Sequence, residues 1–130
     1  MAITKEIDVR YRDLDILAHV NNAVIATYVE EARLEYLDRV FEVGFDDYTF
    51  VIAHIEIDFE RPIETEGSVE VTAEVPELGT SSVPMRYEIV ADGERAATAE
   101  TTLVFLDQAG ENTLPIPDDV RARIEEQEGL

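Results

Sequence analysis

The stretch RDLDILAHVNNAVIATYVEEAR, residues 12–33, begins with polar residues and continues into an apolar pattern of helical period. Asn21 and Asn22 are good N-cap residues, because an asparagine side chain can accept a hydrogen bond from the free N–H groups of a first helical turn. Apolar residues then recur three or four positions apart, at Ile25, Val29, Ala32, Tyr36 and Val40. The pattern predicts a helix of about 20 residues, about 30 Å long, with Gly44 as its C-terminal stop.

Outside this helix the apolar period changes to two, which is typical of strands. The segment KEIDVRY, residues 5–11, predicts a first strand. Four more strands are predicted after the helix, from TFVIAHIEIDFERP (49–62), SVEVTAEVPEL (68–78), SVPMRYEIVA (82–91) and AATAETTLVFLD (96–107). ADGER, residues 91–95, predicts a hairpin turn. The tail, residues 115–130, predicts one short helix with Pro117 near its start.

The order of these elements predicts one α+β domain over residues 1–130. Strands joined by short turns favour an antiparallel sheet, and one long helix can cover one face of a curved five-stranded sheet. The sheet then keeps free edges and a second face, which one helix cannot cover. Pairing of two sheets in a symmetric homo-oligomer would cover them, so we expect a homodimer or homotetramer.

The composition is strongly acidic, with 30 acidic and 10 basic residues and a net charge of −20. Nucleic acid is not expected as a partner, because a phosphate backbone requires a positive surface. The acidic residues are spread along the chain, and such a coat is typical of proteins from halophilic, salt-accumulating cells, where high salt screens the repulsion.

The sequence does not predict disulfides, metal or cofactor sites, or a membrane span. The chain has no cysteine, which excludes disulfides and thiolate metal sites. The two histidines, His19 and His54, do not have metal-ligand spacing, so neither a metal nor a cofactor is expected. No apolar run is long enough for a membrane span and the N-terminus does not resemble a signal peptide, so we expect a soluble cytoplasmic protein without a membrane partner.

Asp13 and Asp15 lie just before the predicted helix, at a position where a carboxylate could take part in catalysis. In a chain with this many carboxylates, an acidic loop is the simpler interpretation of either residue. A helix start, however, offers free N–H groups that can polarise a carbonyl, and a carboxylate beside them can act in acyl transfer. His19 is either a general base or a residue that orders the loop. His54 is interpreted as a packing or hydrogen-bonded core histidine.

The segment YRDLDILAHVNNAVIATYVEEAR, residues 11–33, resembles the signature of hotdog-fold acyl-CoA thioesterases of the 4-hydroxybenzoyl-CoA thioesterase family. The similarity extends over nearly the whole chain, through IDFERPI (57–63) and ELGTSSVPMRYEI (77–89). The resemblance implies a hotdog fold, in which a five-stranded antiparallel sheet wraps one long central helix. It also implies hydrolysis of an acyl-CoA to free acid and CoA by a dimer or tetramer.

The same resemblance implies roles for individual residues. Asp15 matches the catalytic carboxylate, either as nucleophile or as general base for water, and Asp13 matches a structural aspartate. The backbone N–H near Asn22 would polarise the thioester carbonyl. His19, Asn21, Asn22 and Ile25 match positions that line or shape the substrate site, and the partner subunit would complete the pocket from the region of residues 48–57.

Two positions depart from the family pattern. Ile25 stands where tyrosine is common, which implies a plainer apolar wall. Thr80 and Ser81 follow Gly79 where some members carry basic residues, so backbone and hydroxyl groups would meet the CoA phosphates, with Arg61 or Arg86 as helpers. Two alternatives to hydrolysis stay open: a non-catalytic acyl-CoA-binding protein and, less favoured, an acyl-thioester dehydratase.

Overall fold

A computed structural model describes residues 1–41, 48–64 and 67–130. Within these residues the chain forms five strands and two α-helices in the predicted order. The elements are β1 (Ile3–Asp8), α1 (Asn22–Phe41), β2 (Thr49–Phe59), β3 (Ser68–Glu74), β4 (Ser82–Ala91), β5 (Glu94–Leu106) and α2 (Asp118–Glu128). The predicted C-terminal helix is therefore confirmed as α2, which begins directly after Pro117.

Helix α1 has 20 residues and is the buried centre of the fold. The apolar positions that predicted it are all buried, from Ile25 to Val40. Asn21 is its N-cap, because the Asn21 Oδ1 atom accepts from the Ala23 N–H at 2.8 Å. Gly44, the predicted stop, lies outside the described residues.

The five strands form one antiparallel sheet in the order β1-β3-β4-β5-β2. Helix α1 packs against β1 and β3 and leaves β2 as a long edge strand at the other side of the sheet. This arrangement confirms the predicted architecture of a five-stranded antiparallel sheet around one long helix. At the β4–β5 hairpin, Asp92 and Gly93 have φ angles of 52° and 78°, as the predicted turn requires.

The predicted end of the first strand, at residue 11, lies three residues beyond the observed end of β1 at Asp8. Residues 5–11 were expected to be extended, but β1 runs from Ile3 to Asp8. The Arg10 N–H donates to the Asp13 carboxylate at 2.9 Å, and the Asp13 N–H donates to the Arg10 carbonyl at 2.8 Å. These two bonds take the backbone groups that a longer strand would need, and they start a short turn instead.

The predicted apolar face of β2 is also wrong in part. The period of two places Val51, Ala53, Ile55, Ile57 and Phe59 on one face, but a β-bulge between Ile52 and His54 changes the phase. Ile55 pairs with the buried Thr101 on the helix side of the sheet, whereas Val51 pairs with Val104 on the other side. A bulge adds one residue and so reverses the alternation, which a period of two cannot anticipate.

The interpretation of His54 as a core histidine is wrong in the described chain. His54 is exposed and pairs with Thr102 of β5 on the face away from α1. Its apolar sequence neighbours suggested burial, but its side chain belongs to the outer face of the sheet.

Helix α2 closes the far end of the molecule. Its buried residues, Val120 and Ile124, join the core. The Tyr36 hydroxyl donates to the Glu128 carboxylate at 2.6 Å, and the Arg123 guanidinium donates to the Phe41 carbonyl at the end of α1. Within the described ranges, neither helix is both long and apolar enough to cross a membrane.

Candidate active site

The loop between β1 and α1 folds back on itself to present Asp15. Leu14 and Val20 form an isolated bridge, and the Asp15 N–H donates to the His19 carbonyl at 2.7 Å. The Ala18 N–H donates to the Asp15 carbonyl at 2.9 Å, which closes a tight turn. Ala18 has a φ angle of 60°, in the left-handed region that favours glycine.

Two backbone donors orient the Asp15 carboxylate. Its Oδ1 atom accepts from the Leu17 N–H at 2.9 Å and from the His19 N–H at 3.3 Å. Asp15 itself is exposed. These bonds thus hold the carboxylate through one oxygen, Oδ1.

Asp13 is buried and has a structural environment. Its carboxylate accepts from the Arg10 N–H at 2.9 Å and from the Tyr28 hydroxyl at 2.7 Å. Burial acts to raise the pKa of Asp13, but the bonds from the Arg10 N–H and Tyr28, with the Arg10 charge, outweigh it and lower the pKa. Burial and then the bond to Asp13 raise the pKa of Tyr28.

This network joins the loop to the start of α1. The Asn21 N–H donates to the Asp13 carbonyl at 2.9 Å, and Tyr28 lies one and a half helical turns into α1. Asn21 uses its side chain as the cap. In the part of the chain that the structure describes, no acceptor is bonded to the backbone N–H of Asn22, the first residue of α1.

A cavity of about 330 Å³ lies beside the Asp15 carboxylate. It is lined by Asp15, His19, Val20, Asn22, Ile25, Phe59, Glu60, Arg61, Pro62 and Ile63. The structure therefore brings together Asp15, His19, Asn22 and Ile25 among the residues that the sequence singled out. A second hollow, of about 400 Å³, lies over the charged outer face of the sheet and is lined by none of these four residues.

The wall opposite the loop comes from the end of β2 and the residues after it, of which sequence reasoning named only Arg61. The Val20 N–H donates to the Ile63 carbonyl at 2.8 Å and so fixes this wall to the loop. His19 Nε2 lies 3.2 Å from a Glu64 carboxylate oxygen and links the same two segments. The segment IDFERPI was a usable signal, because its proline follows the end of β2 by three residues and lines the cavity.

Thr80 and Ser81 lie far from Asp15 in the same chain. The Phe105 N–H donates to the Ser81 carbonyl at 3.0 Å, and Phe105 stacks on Phe41 at a centroid distance of 6.2 Å. Phe41 is the last residue of α1, whereas the Asp15 loop lies at its start. A helix of this length spans about 30 Å, so one chain does not place Thr80 and Ser81 beside Asp15.

The arginines expected to help are also separated. Arg61 lines the Asp15 cavity and pairs with Glu94 at 3.2 Å. Arg86 lies on the outer face of the sheet and pairs with Glu74 at 2.9 Å. Of the two, only Arg61 has a position from which it could meet a ligand of the cavity.

Comparison with known proteins places this geometry in a family. A sequence model of the thioesterase-like superfamily matches residues 9–124. The crystal structure of a thioesterase from Thermus thermophilus, complexed with coenzyme A and Zn, is 39% identical, with a TM-score of 0.88 over 98% of this chain and 94% of that chain. The long-chain acyl-CoA thioesterase FadM of Escherichia coli is 29% identical over 93% of this chain and 96% of its own.

A more distant structure supports the fold alone. The 1,4-dihydroxy-2-naphthoyl-CoA thioesterase Slr0204 of Synechocystis is 19% identical, with a TM-score of 0.86 over 95% of this chain and 96% of that chain. The Thermus structure contains Zn. In this chain, residues 1–41, 48–64 and 67–130 contain no cluster of three or more His, Asp or Glu side chains that could hold a metal ion.

Proposed function

We propose a specific reaction for this chain, which belongs to the thioesterase-like superfamily: hydrolysis of an acyl-CoA to free acid and CoA, with Asp15 as the reacting carboxylate. Family membership confirms the predicted enzyme class, a thioester hydrolase. One observation supports the site above all others. The Asp15 carboxylate and the open start of α1 line the same cavity.

The backbone N–H of Asn22 would stabilise the reaction electrostatically. A thioester carbonyl placed at the start of α1 gains negative charge on oxygen as its carbon is attacked. A free N–H and the positive end of a helix dipole stabilise that charge. Ile25, one turn further along α1, would form an apolar wall for the acyl group.

Asp15 can act in either of two ways. As a general base it takes a proton from water, the water oxygen bonds to the acyl carbon, and the C–S bond breaks. As a nucleophile its own oxygen bonds to the acyl carbon, the thiolate leaves, and water then hydrolyses the mixed anhydride. In both routes the proton released from water ends on the CoA thiol, and the geometry permits both.

We further propose that the active assembly is a homo-oligomer built through β2. This strand is an exposed edge, and its apolar residues Val51, Ile55 and Phe59 are exposed in one chain. Two copies related by a twofold axis would pair their β2 strands antiparallel. The Phe59 end of one copy, beside Asp15, would then meet the Thr49 end of the other, which is the end of the sheet that carries Ser81.

Replacing Asp15 with Asn tests the proposed reaction. The variant keeps the shape and one acceptor oxygen but loses the negative charge and the basic, nucleophilic oxygen, so thiol release from a panel of acyl-CoAs should fall by at least about 100-fold. Asp38→Asn, the same change at an exposed position of α1, is the matched control and should leave turnover unchanged.

The alternative of a non-catalytic acyl-CoA-binding protein makes a different prediction in the same assay. Wild-type protein that retains acyl-CoA without releasing thiol would support binding alone. Near-normal turnover of Asp15→Asn would remove Asp15 from the proposed role.

A further inference from the structure

The Asp15 loop carries large apolar side chains on the outside of the molecule. Ile16 is 100% exposed, Leu17 is 69% exposed, and Tyr11, just before the loop, is 81% exposed. These residues stand out in a chain with 30 acidic residues, whose surface is otherwise strongly charged. Several exposed apolar side chains in one place mark a contact surface.

An apolar notch lies at the opposite end of the sheet. Tyr48, Phe105, Leu106, Leu114 and Pro115 line a cavity of about 140 Å³. The Tyr48 hydroxyl donates to the Asp119 carboxylate at 2.9 Å, so its polar end is already bonded. A dry apolar cavity of about 150 Å³ can hold one group the size of benzene, which is comparable to one branched aliphatic side chain.

The loop and the notch of one chain cannot meet. The loop precedes the start of α1, whereas the notch includes Phe105, which stacks on Phe41 at the end of α1. Antiparallel pairing of two β2 strands would remove this separation. It would bring the Phe59 end of each copy, which lines the Asp15 cavity, beside the Thr49 end of the other, which lines the notch.

We infer that Ile16 and Leu17 of each copy seat against the notch of a second copy. The inference rests on the β2 assembly of the proposed function and extends it to the loop that carries Asp15. The loop side chains and most of the notch lining are apolar, so the contact itself brings no like charges together, and salt screens the repulsion between the two acidic chains. The notch has a volume sufficient for one of the two side chains.

Such a contact would connect assembly with catalysis. The Leu17 N–H donates to Asp15 Oδ1 at 2.9 Å, so anchoring the Leu17 side chain would also hold this donor in place. Ile16 and Leu17 are therefore positioning residues, since they act on the substrate through Asp15. Ile16→Ser should lower kcat with little change in KM, and Ile16→Leu should keep most of kcat.

Thiol labelling tests the contact directly, because the chain contains no cysteine. Ile16→Cys and Leu130→Cys are each labelled with a maleimide in high salt, and each rate is divided by the rate of the same variant unfolded in urea. In a single chain residue 16 is the more exposed of the two. The inference predicts the reverse in the assembly, with Cys at position 16 labelled at least about tenfold more slowly.

A second variant identifies the covering surface. Leu114→Asp places a charge at the notch and should restore fast labelling at position 16. Fast labelling at position 16 in a protein that sediments as an oligomer would overturn the inference, and so would protection that Leu114→Asp does not change. Protection that appears only with added acyl-CoA would assign the cover to substrate and also overturn it.

The proposed reaction is judged separately. Sedimentation gives the mass and thiol release gives the activity of the wild-type protein. A monomer that releases thiol would overturn both the contact and the β2 assembly and leave the reaction standing. An oligomer with a protected position 16 and no thiol release would leave the contact standing and remove the reaction.

Discussion

Ala18 shapes the Asp15 loop at the scale of a single residue. Its φ of 60° lets the chain reverse within four residues, so that the His19 carbonyl reaches the Asp15 N–H. A residue with a Cβ atom is strained in this region by about 1 kcal/mol, whereas glycine is not. The loop that presents the proposed reacting group therefore stores strain.

Ala18→Gly should relieve this strain. We expect the free energy of unfolding in urea to rise by about 0.5 kcal/mol, because the gain in the folded state exceeds the larger entropy of glycine in the unfolded chain. Ala122→Gly, on the exposed side of α2, is the control and should lose about 1 kcal/mol. Equal losses in both variants would show that Ala18 is not strained.

Asp13 gives a prediction that depends on pH. Its pKa is lowered in the folded protein, so its carboxylate contributes stability above its unfolded pKa, and that contribution is lost as the pH falls through the lowered folded pKa. Asp13→Asn should cost about 1–3 kcal/mol at neutral pH. The difference from wild type should shrink below about pH 4. A difference that stays constant over urea titrations from pH 7 to pH 3 would contradict this.

At the scale of elements, β2 differs most from a simple alternating strand. Its bulge turns Ile55 to the helix side of the sheet, where α1 leaves it exposed. An apolar edge strand of 11 residues is an open pairing surface unless something covers it. The proposed assembly depends on this strand.

Ile55→Glu should weaken that assembly. A charge on each copy near the twofold axis would have to be buried, so sedimentation at equal concentration should shift toward the monomer while the far-ultraviolet circular dichroism is kept. Leu130→Glu adds the same charge at the exposed C-terminus and should not change the mass. An unchanged oligomer in the Ile55 variant would exclude β2 as the contact.

The Glu128 carboxylate connects helix α2 to the rest of the fold by hydrogen bonds. Glu128 accepts from the Tyr36 hydroxyl at 2.6 Å and from the Val75 N–H at 3.1 Å, and so joins α2 to α1 and to the end of β3. Burial, and after it the bond to Glu128, raises the pKa of Tyr36. Glu128→Ala should lower the free energy of unfolding by about 2 kcal/mol, and Glu126→Ala, an exposed neighbour on α2, should change it little.

At the scale of the whole molecule, the net charge of −20 governs stability and substrate capture. Repulsion among the carboxylates opposes the folded state and also opposes an approaching CoA, whose phosphates are negative. Molar salt shortens the screening length to about 3 Å, which weakens both effects.

Activity should therefore improve with salt. KM for an acyl-CoA should fall, and the free energy of unfolding should rise, as KCl increases from about 0.1 M, where the screening length is about 10 Å, toward 1 M. Steady-state thiol release and urea titrations over this series measure the two quantities. A KM that increases steadily with KCl would contradict the electrostatic account.

Local sequence patterns were sufficient to predict much of the secondary structure of this protein. The helix of α1 follows from apolar residues at helical spacing and from an asparagine cap, because both act within a few residues of chain. The turn at Asp92 and Gly93 follows in the same way. The succession of strands along the chain predicted an antiparallel five-stranded sheet, as observed. The segment from Tyr11 to Arg33 also indicated the superfamily and the position of Asp15.

Tertiary structure decided what depends on contacts between distant residues. The end of β1 is set by the Asp13 carboxylate, and the exposure of His54 by its place on the outer face of the sheet. The second wall of the cavity is set by the pairing of Val20 with Ile63. The separation of Ser81 from Asp15 is set by the length of α1 between them. The spacing of residues along the sequence does not reveal these features, because each depends on which distant segments meet when the sheet closes around the helix.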